Sequence, residues 1–446
     1  MHLIHNPRCD TNSSKGGGKE IGFAVRIVFL TGERANKMAE TLGQRAGNAF
    51  SSLRNRNFRL LWIGGMLSHI GDDMQLVAVS WLVLLITHSP FLMGVASLAQ
   101  GLPRLLFGLI GGVIADRINR HKLLVTCQAS EMILALFFSL LVLTGNIQFW
   151  HLLILLPIFG FLKSMYVISR QAYVFDLVGR EDLMNALALH SSAMNLAKII
   201  GPSIAGILIG IWGVGWCLFI NGVSFIAILI SLFMMHPPAF LKSEHHSSNL
   251  FRDLGETFGY LKLDRPILIL IIASFSFRMF GLQAQVILPL FAHSVLKVGA
   301  SGYGFLMAAM GMGAVMGGVT VAGLGNLKTK GYYFLTTSLI YGFLLILFSF
   351  SSWFFVSLFL IFLAGIADIS STTINQTLVQ LLSPEKLRAR ILGVYMLNQG
   401  LKPLGGFLMG AGASLFGAPL ALASGAGICV FVASSLLFKS PRIRKL

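Results

Sequence analysis

The sequence predicts an all-α membrane protein in which twelve transmembrane helices form two pseudo-symmetric six-helix bundles. Three observations predict this fold: the apolar composition, a series of apolar segments long enough to cross a bilayer, and basic residues confined to alternate connections. Of the 446 residues, 55% are hydrophobic and only 11% are charged, whereas a soluble domain has about 25% charged residues. Mean hydropathy is +0.77. A large soluble enzyme cannot cover its surface with so few charges, so we expect an integral membrane protein.

The apolar segments begin at Phe58 and are separated by short polar breaks. A helix needs about 20 apolar residues to cross the hydrocarbon core. The segments lack the alternation with period two that is typical of barrel strands, so we expect helices. The twelve predicted spans are 59–86, 90–115, 122–144, 150–175, 184–212, 215–236, 267–292, 300–324, 331–350, 353–378, 390–416 and 419–438.

The basic residues predict the orientation. The net charge of +17 would suggest nucleic acid in a soluble protein, but here the bases fall in every second connection. The connections near 88, 147, 214, 297, 352 and 418 carry one base, Lys297. The positive-inside rule then places both termini in the cytoplasm and requires an even number of spans. We therefore expect a lipid bilayer, and no nucleic acid, as the protein's surroundings.

The chain divides into two halves around its longest internal connection. We expect a partly disordered cytoplasmic extension (1–57), two six-helix bundles (58–236 and 266–438), a cytoplasmic linker (237–265) and a basic tail (439–446). The halves also share sequence: "NLAKIIG" (195–201) resembles "QGLKPLG" (399–405), and "LVGREDL" (177–183) resembles "LLSPEKL" (381–387). Five identities share one spacing of 204 residues, as between Lys198 and Lys402. This spacing predicts a duplication, which in transporters lets two bundles rock about a midplane site.

The segment "GGVIADRINRHKLL" (111–124) resembles the loop signature of the major facilitator superfamily. Asn119 replaces the usual glycine of that signature, and the residues that fit it are Gly112, Asp116, Arg117, Arg120 and Lys122. The resemblance implies a conformational latch that joins spans two and eleven at the cytoplasmic side, with Asp176 at the end of span four as its acidic partner. A basic loop that only sets the topology is the alternative, but such a loop would not need an aspartate.

A second motif, "AKIIGPSIAG" (197–206), resembles the Gly-Pro motif of exporters in this superfamily. Gly201, Pro202 and Gly206 fit it, and a simple proline kink is the alternative. The arginine that many drug antiporters have early in span four is missing from 152–162, so their coupling scheme is not carried over. More loosely, most of 57–438 resembles the bacterial branch that includes the enterobactin exporter, which implies export across the bacterial inner membrane.

Charged residues occur inside several spans, where each costs about 2.5–3.5 kcal/mol on insertion scales. The resemblance implies that spans one, four, seven and ten line a central cavity. It makes these residues cavity candidates: Asp72, Asp73, Lys163, Arg170, Arg278 and Asp368. Arg170 could instead reach the cytoplasmic surface, and the others could be structural. Glu131 in span three is expected to be a packing partner, for example of Arg104.

Asp72 and Asp73 cannot point in one direction, because consecutive helical residues lie about 100° apart. Asp72 shares a stripe with Ser68, and Asp73 lies one turn after His69. One acid could pair with a base such as Arg104 while the other carries a proton, tuned by His69. Structural pairing and direct contact with a substrate remain open.

These features predict a secondary transporter that exports a small organic molecule, siderophore-like or drug-like, by proton-driven alternating access. We expect a monomer without a cofactor and no enzymatic activity, since the sequence contains no P-loop, metal-binding constellation or nucleophile motif. An uptake symporter on the same scaffold is one alternative. A non-transporting scaffold or sensor is another, although it would have no reason to bear the cost of midspan charges.

Overall fold

The computed structural model describes residues 51–236, 259–261, 264–325, 329–385 and 387–444, with side chains except at 108–117, 284, 389 and 399. Almost all of the predicted N-terminal extension, most of the linker at 237–265 and the last two residues of the tail lie outside the described residues. Regular secondary structure in the described part is entirely helical, so the predicted all-α class is confirmed.

The first half is built from five helices after a short 3-10 turn, Ser51–Arg54. They are α1 (Arg56–Thr87), α2 (Pro90–Arg117), α3 (Arg120–Leu143), α4 (Phe149–Trp212) and α5 (Val214–Phe233). The side chains of Asn55, Ser89 and Asn119 cap α1, α2 and α3 by accepting a backbone N–H three residues on, as expected for these residue types.

Helix α4 contains two predicted spans, the fourth and the fifth. It is 64 residues long, and Gly179 breaks it with φ 68° and ψ −170°. Only glycine adopts this backbone conformation readily. The break divides α4 into an N-terminal arm (149–178) and a C-terminal arm (180–212), each long enough to cross a bilayer.

The second half contains more interruptions. Its elements are α6 (Arg265–Phe280), α7 (Ala284–Leu290), a π-helical segment (Phe291–Val295), α8 (Gly299–Gly323), α9 (Lys330–Ser349), α10 (Phe354–Leu382), α11 (Arg388–Met396), α12 (Asn398–Phe416), α13 (Ala418–Lys439) and α14 (Pro441–Arg444). The predicted seventh span is therefore divided at 281–283, and the eleventh at Leu397.

Nine helical stretches in the described residues are long and apolar enough to cross a membrane, counting 265–295 as one and α4 as one. Because α4 can cross twice, and α2 and the α11–α12 pair occupy the two remaining predicted spans, the helices are consistent with twelve crossings. The chain is a multi-pass membrane protein.

The two halves contact each other mainly through two helix pairs, α2 with α12 and α4 with α8. In span numbers these pairs are two with eleven and five with eight. Span two of the first half corresponds to span eight of the second, and span five to span eleven, so the two pairs are related by the repeat. Glycines permit the close approach: a Cβ built on Gly206 would lie 3.0 Å from the Cα of Gly304.

A third contact closes the bundle at the end away from the chain termini. The indole of Trp81, near the end of α1, stacks on Tyr303 of α8 with centroids 6.2 Å apart, and its edge faces His293 at 5.9 Å. Both bundles therefore meet at the end where α1 finishes and α8 begins.

Candidate transport site

Asp72 forms the central ion pair of the first half. Its Oδ2 accepts a hydrogen bond from Lys163 Nζ on the N-terminal arm of α4, and His69 Nδ1 lies 3.4 Å from the same oxygen. The Asp72 and Lys163 side chains are only 22% and 20% exposed. The base that pairs with Asp72 is therefore Lys163 and not Arg104, which is exposed on α2.

Three side chains at i, i+3 and i+7 of α4 extend this pair along one helix face. Lys163 Nζ lies 5.2 Å from the ring centroid of Tyr166, and Arg170 Cζ lies 5.8 Å from it. Arg170 is only 6% exposed and its guanidinium contacts the imidazole of His190. Arg170 is thus held inside the protein rather than at a membrane surface.

Several buried polar atoms in this region have no hydrogen-bond partner among the described residues. Glu131, 2% exposed, accepts a hydrogen bond from Gln128 at 3.0 Å through one carboxylate oxygen only. Buried polar groups are normally satisfied by protein, water or ligand, so these atoms have hydrogen-bonding capacity that the described residues do not use. The unpartnered atoms around it are His69 Nε2, Glu131 Oε1, Tyr166 Oη, Ser169 Oγ and Arg170 Nε.

Asp73 lies on a different face of α1 and is half-buried. No hydrogen bond or ion pair joins it to another described residue. A Cβ built on Gly201 would lie 2.8 Å from the Asp73 Cβ, so this glycine lets the C-terminal arm of α4 reach α1. Gly206 faces α8 one and a half turns later, and Pro202 lies inside α4 between them. The Gly-Pro motif is therefore located where α4 contacts both α1 and the other half.

The second half has a corresponding acid–base pair with the charges exchanged. Arg278 Nη1 on α6 lies 4.0 Å from Asp368 Oδ2 on α10, with side chains 14% and 19% exposed. Arg278 also donates to Thr372 Oγ1 at 3.2 Å. The two pairs occupy equivalent places, since each joins the first predicted span of its half to the fourth: spans one and four, and spans seven and ten.

Sequence reasoning noted three further bases but left them out of the cavity set. Arg104, Lys198 and Lys402 are exposed and lie on α2, α4 and α12, the helices through which the halves meet. The Lys402 ammonium is repelled by Arg278, Lys198 and Arg104, and attracted by Asp368. Within the part of the chain that the structure describes, no carboxylate lies within 4.0 Å of any of the three. The repeat spacing that links Lys198 to Lys402 is the signal that could have found them.

The loop motif lies at the other end of the first half. Arg120 Nη1 donates to both carboxylate oxygens of Asp176, each at 2.8 Å, so the start of α3 is joined to the N-terminal arm of α4. Gly112, Asp116 and Arg117 are in α2, where side chains are not described, and Lys122 is exposed. The predicted contact of this motif with span eleven stays a prediction.

Known proteins resemble this chain over most of its length. The staphyloferrin A transporter of Staphylococcus aureus is 24% identical over 362 residues, which is 80% of this chain and 88% of that protein. The enterobactin exporter EntS of Shigella boydii is 26% identical over 385 residues, covering 85% and 90% of the two chains.

Solved structures share the fold. The nucleoside transporter NupG superposes with a TM-score of 0.70 at 14% identity, covering 85% of this chain and 98% of that one. A bacterial homologue of the human lysosomal transporter Spinster, solved inward-facing and unoccupied, gives a TM-score of 0.65 at 17% identity, covering 86% and 95%.

A family profile described as "Transmembrane secretion effector" matches residues 47–446. This match spans both bundles and includes every charged group described above. The chain is a membrane transporter that belongs to the transmembrane secretion effector family of the major facilitator superfamily.

Proposed function

We propose that this transporter exports an anionic small organic molecule, siderophore-like in its chemistry, from the bacterial cytoplasm by proton-driven alternating access. The observation that carries the proposal is a set of three exposed bases on the helices through which the halves meet. Arg104, Lys198 and Lys402 have no carboxylate within ion-pair distance among the described residues, whereas both cavity acids that form ion pairs already have a base. A space between the halves that has unpaired bases on its helices favours an anion.

The end at which the halves meet indicates the side to which the space between them opens. The halves meet at the end marked by Trp81 and Tyr303, away from the termini. With both termini in the cytoplasm, as the basic connections predict, this space opens toward the cytoplasm. Exporters and importers both pass through such a state, so export is supported instead by the Gly-Pro motif and by the name of the enterobactin exporter. The names of the enterobactin exporter and the staphyloferrin A transporter support a siderophore as the cargo class.

Proton coupling is supported by two acids that are not held in ion pairs. Asp73 has no ion-pair partner among the described residues, and Glu131 has a hydrogen bond from an amide instead. A carboxyl group without a cation beside it can be protonated and deprotonated during the cycle at a lower cost than one held in an ion pair. Asp72 and Asp368 are ion-paired and are suited to a structural or substrate-contacting role.

Everted inner-membrane vesicles test this function directly. Apo-enterobactin and apo-staphyloferrin A are supplied outside, and the lumen, which corresponds to the periplasm, is made acidic. We expect one of them to accumulate in the lumen, and a protonophore to abolish the accumulation. Vesicles without the transporter are the control.

Two outcomes would contradict the proposal. Uptake only into right-side-out vesicles with an acidic exterior would identify an importer. Failure of both molecules to move in either direction, with protein present and folded, would remove the siderophore class and favour a non-transporting role.

A further inference from the structure

Lys198 and Lys402 occupy equivalent positions in the two halves. Each is the lysine of a repeated segment, "NLAKIIG" and "QGLKPLG". Each also lies on a helix that contacts the opposite half: the Lys198 carbonyl oxygen lies 2.9 Å from a Cβ built on Gly311 of α8, and Lys402 precedes Pro403, which packs on Gly101 of α2. One lysine is thus contributed by each bundle, at the interface between them.

The two ammonium groups share one electrostatic environment. Both side chains are exposed, although they lie near the middle of their spans. The two charges repel each other, and Arg278 and Arg104 add to the repulsion on Lys402. The hydrogen bond described for Lys198 is a long one, 3.5 Å to Asn195 Oδ1. Asp73 attracts Lys198, and Asp368 attracts Lys402, but neither acid makes contact.

Two bases that repel each other in a membrane interior raise the free energy of the empty transporter. An anionic group placed against each of them would relieve this cost. Lysine suits such a task, because its ammonium is a compact charge on a flexible stem and can follow an anion of variable position. A guest with a single anionic group can neutralise only one of the two.

We propose that Lys198 and Lys402 form a two-point clamp for a cargo that carries two separate acidic groups, one bound by each half. This inference deepens the proposed function and rests on its assumption that the cargo is anionic. It assigns the substrate class, a small di- or polyanion whose acidic groups are spaced apart. It also assigns the recognition residues, which belong to neither of the two ion pairs.

An equilibrium binding experiment tests the clamp without requiring transport. The full chain is reconstituted in nanodiscs, and the probes are linear α,ω-dicarboxylates from succinate to sebacate together with their monomethyl esters. We expect affinity to peak at one chain length, and the ester of that length to bind about 10- to 100-fold more weakly because it loses one charge-assisted contact.

Substitution should reproduce the effect of the ester. Lys198→Gln or Lys402→Gln should weaken binding of the best dicarboxylate by a similar factor and abolish the length optimum, while the double variant loses both contacts and should bind more weakly than either single one. Lys→Arg at either position should retain binding. Lys439→Gln, at the end of α13, is the matched control and should bind like the unaltered protein.

Thermal unfolding of the empty variants separates a binding role from a structural one. Removing one of two mutually repelling charges should leave the unfolding temperature unchanged or raise it, whereas loss of a structural lysine would lower it. Equal affinity for diacid and ester, no binding of any probe, or unaltered binding by both Gln variants would overturn the clamp. A clamp that binds the probes in a protein that moves neither siderophore would refute the proposed function alone.

Discussion

Neutralising Asp72 should destabilise the first half by leaving the Lys163 charge inside it without a partner. Removing one member of a buried ion pair costs about 3–5 kcal/mol. Both side chains here are about one-fifth exposed, so some screening remains and we expect Asp72→Asn to cost about 2–3 kcal/mol. The cation–π contact of Lys163 Nζ with the Tyr166 ring, 5.2 Å away, is present in both proteins and so does not offset this loss.

The assay is the free energy of unfolding in mixed micelles, followed by circular dichroism as denaturant is added. A double-mutant cycle isolates the pair: Lys163→Met should also be destabilising, and Asp72→Asn combined with Lys163→Met should recover about 1–3 kcal/mol relative to the sum of the single losses. Asp176→Asn is the comparison, since its pair with Arg120 is more exposed, at 31% and 22%. A loss below about 0.5 kcal/mol for Asp72→Asn, or strict additivity in the cycle, would refute the reasoning.

Three further changes have separate expected results. Asp73→Asn should abolish accumulation driven by a pH gradient in everted vesicles while leaving dicarboxylate binding intact; unchanged coupling would exclude it as the proton carrier. Asp176→Asn should slow transport with little change in cargo preference and cost under about 1 kcal/mol in denaturant unfolding, and an altered cargo spectrum would contradict a latch. Gly206→Ala should destabilise the protein by about 1–3 kcal/mol because its Cβ would meet Gly304 at 3.0 Å; Gly427→Ala, where a Cβ meets nothing within 4 Å, should unfold at or above the unaltered temperature.

Hydropathy and charge predicted the membrane fold because both are read along the chain. An apolar segment of about 20 residues indicates a span, and this prediction does not depend on which other helices pack against it. Breaks inside spans were harder to predict. Gly179 carries φ 68° in the middle of α4, but the sequence has 48 glycines, and most of them occupy helices or close contacts rather than breaks. The division of the seventh span at 281–283 has no proline at the break to mark it.

Which acid pairs with which base inside the bundle depends on how the helices are rotated and kinked. The periodicity of the sequence does not predict either quantity. Asp72 could be placed on a polar face of α1 from its spacing to Ser68. Its partner is Lys163 on the N-terminal arm of α4, whereas Arg104 is exposed on α2. The sequence pattern suggested Arg104 as an example of such a base and did not single out Lys163.

The repeat carries more information about the site than the individual charges do. The pairs Asp72–Lys163 and Arg278–Asp368 reverse their signs between the halves, so a search for identical residues at the repeat spacing misses them. Lys198 and Lys402 keep their identity, and neither has an ion-pair partner in the described residues. Where two halves must approach and separate, a charge paired within its own half moves with that half, whereas like charges on opposite halves oppose closure until an anion lies between them. If the clamp that we propose is correct, the lysine shared by positions 198 and 402 makes the cycle depend on cargo.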